Sequence, residues 1–144
     1  AVADVRPGSY LTVSRTWKEG DKIALNFDMR GRLTELNGYQ AIERGPVVLA
    51  RDTRLGEGFV DETCVVQTSG GYVELMPVTD KPAGVWMAFS APMKLGTDTE
   101  GRAAGIVQVP LCDFASAGNT WHSAVRYRVW LRRTFDPISD PWVE

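Results

Sequence analysis

The chain has 144 residues, of which 44% are hydrophobic and 24% charged, and its formal net charge is −2. A chain of this length holds one ordinary core, burying roughly 70% of its unfolded surface, and its composition excludes disorder and collagen-like repeats. The near-neutral charge offers no footprint for nucleic acid or anionic lipid, and no apolar run approaches the ~18 residues that cross a bilayer, so neither partner is expected.

The opening AVADVRPGSY carries neither a basic nor an apolar leader region and lacks an initiating methionine. The expectation is a single domain over 1–144, taken from a longer multidomain protein. SYLTVSR (9–15) and KIALNFDMR (22–30) alternate as strands do. In the second, Ile23, Leu25, Phe27 and Met29 take the core face, and Lys22, Asn26, Asp28 and Arg30 take the wet face with Ala24. Between them RTWKEGD (15–21) reverses at Gly20-Asp21. Trp17 is expected to fold over the open end of the core, with stacking on a sugar as the alternative.

Strand patterns follow at YQAIER (39–44), PVVLARD (46–52), TCVVQT (63–68), YVELMPV (72–78), VWMAFSAP (85–92) and GIVQVPL (105–111). Turn signals separate them, including Asn37-Gly38, Gly45-Pro46 and Glu100-Gly101. Ser69-Gly70-Gly71 predicts a hairpin. The apolar VWMAF run places Trp86 in a strand buried on both faces. A helical turn is expected near 113–117. In SAVRYRVWLRR (123–133), Val125, Tyr127, Val129 and Leu131 point inward and Arg126, Arg128, Trp130 and Arg132 outward. The tail DPISDPWVE (136–144), which holds Trp142, reads as extended. About nine short strands give an all-β fold, a two-sheet antiparallel β-sandwich of jelly-roll type.

Chemistry is sparse. Cys64, Cys112 and the single His122 have no zinc or redox spacing; the cysteines read as buried free thiols, or as a disulfide if the protein is exported. Asp61 and Glu62 would point to opposite faces of a strand, a poor arrangement for shared acid–base work. GEGFVDE (56–62) lacks the lysine of a phosphate-binding loop. No catalytic residue, metal or cofactor is therefore assigned. Trp121, with Asn119 and His122 in FASAGNTWHS, has the polar company that a sugar site wants. Arg126, Arg128 and Arg132 read as cross-strand pairs, with docking to another domain or binding of a carboxylate or acidic polysaccharide as alternatives, and Trp130 among them points to a covered face, by cation–π stacking within the domain or by an interface with another.

Two segments carry a resemblance. GSYLTVSRTWKEGDKIALNFDMRGR followed by YQAIERGPVVLARD resembles the β-sandwich that follows the catalytic barrel in family 127 glycoside hydrolases, the β-L-arabinofuranosidase-like proteins. Tyr10, Arg15, Trp17, Gly20, Asp21, Ile23, Leu25 and Met29 match the family's first motif, and Ala41, Ile42, Arg44, Gly45, Pro46 and Val48 its second. The match covers roughly the first third of the chain. AGNTWHSAVRYRVWLRR is similar to the closing strand of bacterial members. The resemblance implies a partner: an (α/α) barrel with a cysteine nucleophile beside a cysteine-and-glutamate zinc site. This chain contains no adjacent cysteine pair, so no catalytic residue is carried over. On this basis the chain is expected to be the accessory domain of a secreted or periplasmic bacterial enzyme. Its expected partners are the catalytic domain of its own polypeptide, a further copy of itself, or a glycan. An independent carbohydrate-binding module is the alternative, and a free-standing enzyme the third reading.

Overall fold

A computed structural model describes residues 5–56, 59–96 and 105–133; the expected turn at Glu100-Gly101 and the tail with Trp142 lie outside them. The fold is all-β and antiparallel. Nine strands are present among the described residues: β1 (Gly31–Leu36), β2 (Tyr39–Arg44), β3 (Val47–Asp52), β4 (Cys64–Val66), β5 (Met76–Pro77), β6 (Ala88–Leu95), β7 (Ile106–Asp113), β8 (Tyr127–Arg128) and β9 (Leu131–Arg132). They follow one path, β1-β2-β3-β7-β6-β4, with β5 on β6, β8 on β3 and β9 on β2. The expected two facing sheets are drawn here as one hydrogen-bonded strip curled nearly to a barrel.

Local turn chemistry sets the register. Asn37 and Gly38, with φ of 47° and 81°, form the two-residue turn that joins β1 to β2. Both positions sit in the left-handed region, as the twist of a tight hairpin requires. Gly70 and Gly71, at φ 57° and 82°, do the same between Ser69 and Tyr72, whose backbones exchange two hydrogen bonds, so the expected hairpin forms there. β6 and β7 pair from Ala88↔Cys112 to Lys94↔Ile106 and carry alternating core residues, with Phe89, Ala91 and Met93 on one strand and Val109 and Leu111 on the other. Ile42, Leu49, Cys64, Val66, Val73 and Leu131 complete the main core. Burial of each large member contributes about 1.5–3 kcal/mol. Val85, Ala88 and Cys112 form a smaller cluster beside it.

Several sequence expectations are corrected. Residues 5–30 contain no strand, and Ile23, Leu25 and Phe27 are 64%, 68% and 75% exposed. Alternation marks a face that wants a neighbour, and within the described residues no sheet supplies one to this segment. Trp17 takes its cover from Arg15, whose guanidinium lies 5.2 Å from the ring, and does not cap the core. The turn below it forms as expected, with Asp21 N–H on the Lys18 carbonyl and the Asp21 carboxylate accepting from Lys18 N–H. GRLTEL, with little alternation, is a strand because the Asn37-Gly38 turn folds it onto β2. Trp86 is 79% exposed, since the strand begins only at Ala88. SAVRYRVWLRR breaks into β8 and β9 because its halves pair with different strands, leaving Tyr127 40% exposed. The helical turn expected near 113–117 is the 3₁₀ turn Phe114–Ser116.

Gly31 is buried, and a Cβ there would stand 2.4 Å from the Val73 carbonyl oxygen. Gly31→Ala is expected to destabilise the fold by about 1–3 kcal/mol in chemical denaturation. Gly105→Ala, where a Cβ meets open space, is expected to change stability by less than about 0.5 kcal/mol.

Candidate functional site

Two buried carboxylates organise one end of the molecule. Asp52 ends β3 and Asp113 ends β7, and each caps the 3₁₀ turn that follows it, accepting from Arg54 N–H and Ser116 N–H respectively. Arg54 pairs with Asp52 at 2.7 Å and donates to the Ser116 carbonyl and to Asn119 Oδ1. Gly118 N–H also reaches Asp52, while Asp113 accepts from Met87 N–H and Ser116 Oγ. Burial opposes the charge on Asp52, yet the Arg54 guanidinium and the Gly118 and Arg54 N–H groups together hold its carboxyl below the usual range.

Part of the sugar site expected from sequence belongs to this lattice. Asn119, exposed, donates from Nδ2 to the Gly84 carbonyl while accepting from Arg54. His122 Nδ1 accepts from Ala124 N–H within its own turn. Trp121 is 93% exposed at φ 55°. None of the three lines either of the two openings described here. A shallow cleft of about 270 Å³ lies at the same end, walled by the exposed rings of Trp86 and Phe114 with Val47, Met87 and Asp113.

The arginine row is engaged locally. Arg126 donates to the Ser123 and Val125 carbonyls, Arg128 pairs with Asp61, and Arg132 lies over the Tyr39 ring and donates to its hydroxyl. Trp130 is 43% exposed between β8 and β9.

The larger opening is elsewhere. A groove of about 680 Å³ runs between residues 27–31 and 72–77, with Arg44 and Phe89 on its floor. Arg30 lies 3.6 Å from the centre of the Tyr72 ring and is locked by two bonds to Asp28, which also takes Arg32. Hydrogen bonding from the Arg30 side chain holds the Asp28 carboxyl well below the carboxylate range. Arg44, half-buried, lies 4.9 Å from the centre of the Phe89 ring. Sequence reasoning did not single out Arg30, Tyr72 or Arg44 as a site. The one available signal was Arg44 inside the motif Ala41-Ile42-x-Arg44-Gly45-Pro46.

Among the described residues no three His, Cys, Asp or Glu side chains gather to hold a metal ion, and no helix is long and apolar enough to cross a membrane. Cys64 and Cys112 are free and buried; burial pushes their thiols up to about 11 and about 12, with the Asp52 and Asp113 charges adding to the second. No protein-family model matches the chain, and no curated protein matches it in sequence.

Asp52→Asn leaves Arg54 charged and nearly buried without its counter-ion, and is expected to lower stability by about 3 kcal/mol at neutral pH. Because the folded carboxyl is held below its ordinary 3.8, its contribution is complete above that pH and is lost as pH falls further. The gap between wild type and variant should therefore close in acid denaturant titrations below about pH 4. Both thiols are expected to ignore an aromatic disulfide reagent in native protein at pH 8 and to react together on unfolding.

Proposed function

We propose that the chain is a non-catalytic accessory domain of an exported bacterial carbohydrate-active enzyme similar to β-L-arabinofuranosidases, docked on a helical catalytic barrel. The observation that supports this reading most is the set of large apolar side chains left exposed on the motif-bearing segment. Tyr10, Leu11, Ile23 and Leu25 all face solvent, and several such side chains on one segment suit a protein contact. Three of the four, Tyr10, Ile23 and Leu25, are positions that match the family's first motif. A second reading, an independent glycan-binding module, is favoured by the solvent-facing Trp86 and Trp121 rings.

The reading is tested in the full reading frame. That frame is expected to encode a helical domain with adjacent cysteines, and amide exchange at 22–30 is expected to slow at least about tenfold relative to the isolated chain. Unchanged exchange in a protein with such a domain, or turnover of an aryl glycoside by the isolated chain that a point mutation abolishes, overturns it.

A further inference from the structure

The groove between 27–31 and 72–77 has an unbalanced floor. Arg44 stacks on Phe89 but makes no ion pair and no side-chain hydrogen bond among the described residues. Arg30, the other cation lining the groove among the described residues, is bound to Asp28, which also takes Arg32. An aromatic face attracts a guanidinium without satisfying the N–H groups of its planar fork. The fork therefore points to a carboxylate, which it can hold through two parallel bonds.

Glu74 lines the same groove, exposed and without an ion-pair partner among the described residues. A dianion such as a phosphate monoester would meet this second charge unfavourably. A monoanion that also carries hydroxyl donors would satisfy both groups, with its carboxylate on Arg44 and its hydroxyls on Glu74. The exposed Phe27 ring and Pro77 at the rim supply flat apolar surface for a ring face.

We infer that this groove binds a carboxylate-bearing sugar, a uronate residue of an acidic glycan, through Arg44. The choice of a sugar as carrier of the carboxylate rests on the carbohydrate reading above; the carboxylate itself rests on Arg44.

Titration of the chain with a galacturonate trisaccharide, followed by amide and arginine side-chain NMR, is expected to shift Arg44, Phe89 and Glu74. The neutral galactose trisaccharide and acetate are expected to bind at least about tenfold more weakly, and Arg44→Gln to weaken galacturonate binding by at least about tenfold. Arg44→Lys, which keeps the charge but loses the fork, is expected to recover only part of it. Arg126→Gln, remote from the groove, is expected to bind as wild type. Wild-type shifts that avoid Arg44, equal binding of the neutral sugar or of acetate, or undiminished binding by a folded Arg44→Gln protein each overturn the proposal. The wild-type shift map decides the matter even if that variant fails to fold. Loss of the accessory-domain reading appears instead in the exchange of 22–30 and leaves this titration unaffected.

Discussion

A curled antiparallel strip buries its apolar face only if its ends come together, and one hydrogen bond marks where they do. Val66 N–H, on the terminal strand β4, donates to Oε1 of Gln40, on β2 near the other end of the path, at 3.1 Å. Gln40 is 1% exposed, so this amide is a buried polar group that needs its partners, and Glu35 takes its Nε2. Leu131 on β9 packs into the same core beside Val66. Without this closure Val66, Leu131 and Ile42 would lose neighbours in the one core cluster they share with the β6–β7 ladder.

The second constraint is electrostatic. β3 and β7 are neighbours, with Leu49 opposite Asp113, and each ends on a buried aspartate that caps the turn leaving it. A buried charge is tolerated only when paired and saturated with hydrogen bonds. Asp113 meets that condition with backbone and hydroxyl donors alone, whereas Asp52 requires Arg54. The result is a loop end cross-linked by its own polar side chains, in which Asn119 bridges Arg54 and the Gly84 carbonyl.

Much of the framework was legible in the sequence, for reasons that differ by element. β2, β3, β6 and β7 combine strong alternation or apolar runs with glycine-marked ends, and both signals refer to contacts these strands make with their immediate neighbours. The 22–30 segment has equally good alternation, yet alternation reports a need for cover and is silent about whether cover exists in the same domain. β1 shows the reverse: its pattern is poor, and pairing is dictated by two turn residues beyond its end. Trp86 was misjudged because apolar neighbours in sequence were read as neighbours in space, when the strand starts two residues later. The groove left no continuous trace, since Arg30, Arg44 and Tyr72 come from three separate stretches that only register brings together.

The position of that groove follows from how the strip fails to close completely. On the β1 side one bridge among the described residues ties the seam, Val73 N–H to the Gly31 carbonyl at 2.9 Å. Gly31 is required there because any side chain would strike the Val73 backbone. Beyond the bridge, 74–77 runs on to join β6 through β5, and 27–31 lines the other side of the groove. Arg44, paired across from Gly31 in β2, lines the groove between them. Met29 stands close enough to Gly45 that a Cβ there would be 2.6 Å from its sulfur, so the two motif-bearing segments meet at the rim of the same gap. The opening is tied by backbone pairing at one point and by a glycine contact at another, and its guanidinium already lies 4.9 Å from the centre of the Phe89 ring, which leaves less ordering for a ligand to impose.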